Sequence, residues 1–305
     1  MIRSSKKHIT FRINPTPFVC SQPNNKTNQM KTKALFLVLI GILLINCDNE
    51  STDDLPEMPE ETNGTVPSQI VFTDSDGAWI RDFTYDNNRL LSIQDNIGYK
   101  TNYTYNEDQL VRIDNYEDGI LAEYGTLEYD GNGRLSEFIQ YFQEFGDELD
   151  GSAFKMIYNY NGVNSITVDT YTGDFDSQEE FLYSEIYFFE NNQLIEIDLH
   201  DFSGTRDHFL TLSHDNMTGV FSNIENIEVI ELVSDQFELG FVLEGSVNNL
   251  VEKFDKEEID YVTTYNYDYN QNGYPVSAQY EYFATHPSDT NNNTPDQTAT
   301  IDYKY

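Results

Sequence analysis

From Ser68 onward, aromatic and polar residues alternate with a period of two, and short clusters of Asp, Asn and Gly interrupt the alternation. Phe83-Thr84-Tyr85-Asp86-Asn87-Asn88-Arg89-Leu90 is matched position by position by Tyr103-Thr104-Tyr105-Asn106-Glu107-Asp108-Gln109-Leu110, and further copies start at Leu127, Tyr158, Tyr187 and Tyr267. A degenerate copy starts at Leu212. Successive side chains of a strand point to opposite faces, so the alternation predicts strands with one buried face. The clusters predict hairpin turns, because Asn, Asp and Gly tolerate positive φ or close Asx-turns. In the copy at Tyr267, Asn272-Gly273 reads as a type I′ pair. The spacing from Tyr85 to Tyr105, Tyr129 and Tyr160 widens along the chain, which indicates hairpins with variable outer loops rather than a solenoid of constant period. The expected fold is all-β: an extended, curved antiparallel β-meander over residues 68–305, forming an open or partly closed barrel. Asn223 to Glu258 carries no copy. Ile224, Ile227, Val229, Ile230 and Val233 predict one short helix near 223–235, packed over a mouth or face of the sheet.

The N-terminal part has a different pattern. Met30-Lys31-Thr32-Lys33 is a short basic start, Ala34 to Ile45 is apolar apart from Gly41, and the run ends at Leu44-Ile45-Asn46-Cys47. This stretch is far shorter than the ~20 residues that cross a hydrocarbon core, and it fits the apolar part of a secretory signal. Residues 30–46 thus read as a signal peptide, and the ending resembles the lipobox of bacterial lipoproteins. That resemblance implies a lipid on Cys47, although Asn46 stands where Gly, Ala or Ser is usual. Residues 1–29 read as chain upstream of the true start at Met30. Residues 47–67, the lipidated Cys and an acidic stretch with prolines and no apolar periodicity, read as a disordered tether.

Charge narrows the partners. Residues 1–46 carry seven of the 17 Lys and Arg and none of the 53 Asp and Glu, so the chain from Cys47 on has a formal charge of −43. Such a chain repels nucleic acid and anionic headgroups. With Cys47 the single thiol of that part, no disulfide staples the fold. The core is left to aromatic and aliphatic burial, with 22 Tyr and 20 Phe in the chain.

The repeated Tyr-x-Tyr-Asp/Asn blocks resemble the YD repeats of Rhs-type proteins, and more closely a family of Bacteroidetes lipoproteins with a porin-like β-meander. The family implies a long curved antiparallel sheet over residues 68–305 and no catalytic centre. The acidic residues after Cys47 resemble the export signals that place Bacteroidetes lipoproteins on the outer face of the outer membrane, weighed against a solvated spacer that carries no address, so the expected location is the outer membrane, on its periplasmic or cell-surface face.

Candidate chemistry is sparse. Asp74-Ser75-Asp76-Gly77 places two carboxylates near a glycine, and calcium is weighed there against a plain turn. In Glu196-Ile197-Asp198-Leu199-His200 the polar residues share one strand face. A turn at Ser203-Gly204 would set Asp201 opposite Arg206 and His200 opposite Asp207, so Asp198, His200 and Asp207 are candidate ligands of a divalent cation, weighed against a solvated hairpin with a surface ion pair. No cofactor is expected beyond that calcium alternative. Two function classes follow: a noncatalytic envelope lipoprotein that binds a glycan or protein partner, or acts structurally, through a sheet face, and an envelope hydrolase using paired carboxylates.

Overall fold

The computed structural model describes residues 66–143, 151–200, 204–234, 247–256, 260–284 and 294–305, without the side chains of Asp207 and Asp260. Cys47, the signal segment and all of the tether before Val66 lie outside the described residues.

Strands follow one another around a single sheet: β1 Gln69–Asp74, β2 Gly77–Asp86, β3 Arg89–Asp95, β4 Tyr99–Asn106, β5 Gln109–Glu117, β6 Ile120–Tyr129, β7 Leu135–Phe142 and β8 Ser152–Tyr160. They continue with β9 Ser165–Asp174, β10 Gln178–Glu190, β11 Gln193–His200, β12 Arg206–Thr218, β13 Asn248–Lys256, β14 Asp260–Tyr269, β15 Pro275–Phe283 and β16 Gln297–Lys304. Each pairs antiparallel with its chain neighbours, and β16 returns to β1 with Gln69 opposite Lys304, so the barrel closes completely. Closure leaves no unpaired edge, which removes the usual route to edge-to-edge aggregation.

An up-and-down order sends alternate connections to opposite ends. Because each sequence copy is a whole hairpin, the turns of all the copies fall at one end, here termed the repeat end. They include Asn87-Asn88, Glu107-Asp108, Asp130–Arg134, Asn191-Asn192 and Asn270–Tyr274. The other end, with the connections at residues 75–76, 96–98 and 175–177, is the far end.

The turn chemistry departs from expectation in one detail. Asn272-Gly273 is not a type I′ pair, because only Gly273 has positive φ, at 82°. Instead the Asn270 side chain accepts the amides of Asn272 at 2.9 Å and Tyr274 at 3.1 Å, and Gly273 N–H donates to Asn270 C=O at 3.1 Å. Asp130 builds the same loop, capping Asn132 at 2.8 Å and Arg134 at 3.0 Å. These bonds, with the Arg134 guanidinium, hold the Asp130 carboxyl down at about 2. A capping Asx residue followed by a left-handed Gly makes a longer loop than a two-residue turn. Two adjacent positive φ values occur at Asn191-Asn192, at 53° and 66°.

The third residue of five copies, an aromatic in each, sits at a register shift: Tyr85, Tyr105, Tyr129, Phe189 and Tyr269. A bulge there re-aims the ring. Three of the hydroxyls then reach into the preceding hairpin or lead-in: Tyr85 donates to Pro67 C=O at 2.9 Å, Tyr105 to Leu90 C=O at 3.0 Å and Tyr129 to Leu110 C=O at 2.7 Å. The copies at Tyr103 and Leu127 are thus each tied to the one before through the repeated tyrosine.

Inside the barrel, Leu90, Leu110, Ile113, Leu135, Phe138, Met156 and Val168 are shut off from water. The short helix α1, Ile227–Ser234, completes this core at the repeat end, where Ile227, Ile230 and Val233 are buried together with Phe221 and Ile224. The Phe221 ring lies 6.1 Å from that of Phe83. The repeat turns hold the segment: Glu225 N–H donates to Asn88 C=O at 2.9 Å, and Asn226 Nδ2 donates to Asp108 C=O at 3.0 Å. Arg89 pairs with Glu225 at 3.2 Å, and Tyr158 donates to Leu232 C=O at 3.3 Å. Where β12 departs toward the helix, the Asp215 carboxylate accepts from Tyr269 and from the amides of Met217 at 2.9 Å and Asn249 at 3.2 Å.

The opposite strand faces point outward, and on β4, β15 and β16 they are polar. On β4 they carry Lys100, Asn102 and Thr104, on β15 Ser277, Gln279 and Glu281, and on β16 Thr298, Thr300 and Asp302, alternating with buried Thr101, Tyr103, Ala278, Ala299 and Ile301. Among the described residues no helix is long and apolar enough to cross a membrane, which says nothing about strands.

Candidate functional site

The sequence-derived candidates come first. The Asp74 carboxylate accepts the amides of Asp76 at 2.8 Å and Gly77 at 3.2 Å, so it closes the β1–β2 turn as an Asx cap, with Asp76 a residue of that turn. Asp198 and Glu196 lie on the outer face of β11 and share the Arg206 guanidinium, with Glu196 at 2.7 Å. The expected register fails. A shift between Leu199 and His200 sets His200, not Asp201, opposite Arg206, and Leu199 opposite His208. The His200 ring Nδ1 lies 3.3 Å from Gly204 C=O. Asp201 and the Asp207 side chain lie outside what is described. Among the described residues no group of three or more His, Cys, Asp and Glu side chains could hold a metal ion. The register shift was invisible in the sequence, because a bulge is decided by how two strands meet.

The inner wall turns polar toward the far end, and there its charged groups are engaged by neighbouring side chains. The Trp79 indole N–H donates to Asp95 at 3.0 Å, and the Arg81 guanidinium lies 3.8 Å from the centre of the Trp79 ring. Burial lowers the Arg81 pKa to about 10 against the pull of Asp95. Glu123 accepts from Asn115 at 2.8 Å and Gln140 at 2.7 Å, and His208 meets Asp255 at 2.5 Å. Burying an unpaired polar group is costly, and these contacts offset part of that cost.

The outer wall carries a feature of another kind. On β6 and β7, Tyr124 and Tyr141 stand opposite each other and stack, with ring centres 4.6 Å apart and planes 15° apart. Phe175, in the β9–β10 connection, meets Tyr141 edge-on at 5.3 Å and is 38% exposed. Arg112 caps the Tyr124 ring at 4.1 Å. Farther along, Tyr171 on β9 meets Phe181 on β10 at 5.6 Å, Phe181 is 39% exposed, and Lys155 on β8 approaches the Tyr171 ring at 5.4 Å. Burial raises the Tyr141 hydroxyl above the ordinary tyrosine value.

Small residues shape this surface. Ala153, opposite Tyr141, and Gly173, opposite Ala153, form its floor, and Ala153 is completely covered. A Cβ on Gly173 would stand 1.9 Å from Ser177 C=O, so only glycine lets the β9–β10 turn fold close against the strand. Beside Phe175 an open cleft of about 590 Å³ is lined by Leu121, Gln143, Gly151, Asp174 and Asp176. The Asp174 carboxylate is engaged by the amides of Asp176 at 3.0 Å and Ser177 at 2.9 Å.

None of these outward aromatics stood out in the sequence. The alternation marks every Tyr of a strand alike, and only the phase of each strand relative to the core separates the buried rows from the exposed one.

No family model matches the chain. No curated protein matches it either. Among solved structures, it is similar to a porin-like protein from Bacteroides uniformis, at 11% identity and a TM-score of 0.35, over 78% of this chain and 96% of that one.

Proposed function

We propose that this chain is a noncatalytic, lipid-tethered envelope protein whose barrel stands in water beside the outer membrane and binds a partner through its outer wall. One observation carries the reading: the sidedness of the barrel. A barrel that crosses a membrane turns an apolar band ~25 Å tall outward and encloses a polar lumen. On β4, β15 and β16 this one turns Thr, Asn, Asp, Glu and Lys outward, and it encloses Leu, Ile, Phe and Met. Such a wall is stable against water, so attachment to a membrane falls to the lipid expected on Cys47. The chain enters β1 at the repeat end, where Tyr85 binds Pro67 C=O and Phe83 N–H donates to Ser68 C=O at 2.9 Å.

The test is fractionation of cells producing Cys47→Ser. The variant is expected in the soluble fraction, folded and free of detergent. Retention in the membrane, or a barrel that stays soluble only in detergent, would refute the tethered reading.

A further inference from the structure

The geometry points to the outer aromatic ridge as a binding site for a neutral polysaccharide chain. The proposal deepens the tethered-barrel reading and rests on it only for access, since a wall facing water is open to an extended polymer.

The ridge has a mixed chemistry that selects among partners. Its rings lie on β6, β7, β9 and β10 and in the β9–β10 connection, and from Tyr124 on β6 to Phe181 on β10, at strand spacings of ~4.8 Å, the track is about 19 Å. That suits an oligomer rather than a single small molecule. The exposed rings offer faces and edges for apolar C–H surface, but the track is crossed by Lys155 and bordered by Arg112 with its partner Asp114 at 2.6 Å. A protein partner or a second copy would have to desolvate those charges across a flat contact. A pyranose chain does not, because it presents C–H faces to the rings and hydroxyls around its edge. The hydroxyl partners are in place: Gln143 and Asp176 line the cleft beside Phe175. Charge excludes acidic glycans. The ridge belongs to a chain of formal charge −36, and Glu137, on the same outer face of β7, has its carboxyl pKa raised by burial and by Glu128. A polyanion would meet that field as repulsion. Arg112 and Lys155 lie against the Tyr124 and Tyr171 rings and hold them in place.

The test is affinity electrophoresis through gels containing soluble neutral polysaccharides (a β-glucan, an α-glucan, a mannan) or polygalacturonate as the acidic comparator. The wild-type protein, extracted in a polyoxyethylene detergent, and the Cys47→Ser protein are run side by side. Both should be retarded by at least one neutral polysaccharide and by none of the acidic one. Phe175→Ala with Phe181→Ala should weaken retardation about tenfold, the equivalent of ~1.4 kcal/mol, whereas Phe175→Tyr, which keeps a ring, should retain it. Both phenylalanines are more than one-third exposed, so these variants should keep the wild-type circular dichroism. Unchanged mobility across the neutral panel, retardation that survives loss of both rings, or stronger retardation by polygalacturonate would each overturn the proposal. Such a failure is distinct from failure of the tethered reading, which shows in the fractionation of Cys47→Ser and not in the gels.

Discussion

The tyrosine hydroxyl does different work at different positions of one repeat. At Tyr105 and Tyr129 it closes on a backbone carbonyl of the neighbouring hairpin, a bond made in a site from which water is largely excluded. Removing it leaves that carbonyl short of a partner, so Tyr105→Phe should cost about 1 kcal/mol, measured as a lower urea midpoint with an unchanged slope. Tyr124→Phe, on the outer ridge, has no such bond to lose and should leave the midpoint in place. A second residue reports on acid stability. His214 is partly buried beside the Asp215 knot, and desolvation lowers its pKa to about 4, against the opposing pull of Asp215. A folded pKa below the unfolded value means that the unfolded chain takes up the proton first as pH falls below ~6.5, so stability is intact at neutral pH and lost progressively toward 4. Between pH 7 and pH 5 the loss from this group should be on the order of 1–2 kcal/mol. In His214→Gln the drop in melting temperature over that interval should be smaller than in wild type; an equal drop would show that other groups dominate.

At the scale of elements, the hairpin and the helix were not equally readable. The hairpins carry their own instructions: alternation sets the strand, and Asp130 or Asn270 with a following Gly sets the turn. Asp130→Ala removes two amide caps at once and should lower the melting temperature of the folded barrel. Helix α1 is different, because eight residues are too few to be helical alone and its stability must come from packing. Its apolar positions were visible as Ile227, Ile230 and Val233, but a short apolar run does not reveal what it will lie on. The structure supplies the seat: the repeat turns at Asn88 and Asp108 accept its lead-in, and Phe83 meets Phe221. Ile230→Ala should therefore cost about 2–4 kcal/mol, far more than the propensity change of one helical residue. A cost below about 1 kcal/mol in urea unfolding would mean the helix is not part of the core.

At the scale of the whole molecule, closure and charge set the behaviour. A chain with 53 acidic residues against 17 basic ones repels itself when compact, so sodium chloride should raise the melting temperature by screening. Calcium at equal ionic strength should do no more, because Asp74 is spent on backbone amides and Asp198 on Arg206. A saturable extra shift with calcium that vanishes in Asp76→Ala would instead establish a site at the β1–β2 turn. Closure also governs the spectrum. With strand residues dominating the described part and α1 its one helix, far-ultraviolet circular dichroism should show β-structure, and a helix content above about one quarter would contradict the fold.

The sequence by itself determined the local alphabet: period-two alternation specified one buried face per strand, and Asx–Gly clusters specified where the chain turns, since both depend on covalent geometry and near neighbours. The spacing of whole hairpins also determined that the repeated turns share an end. Tertiary structure alone decided that β16 meets β1, because closure depends on accumulated twist and stagger around all the strands. It decided the bulge at His200, which moved that residue opposite Arg206. And it decided which tyrosines face water. Tyr103 and Tyr124 are the same residue in similar alternating strands, and what buries one and exposes the other is the phase in which each strand enters the barrel wall, a one-residue choice that exchanges the two faces.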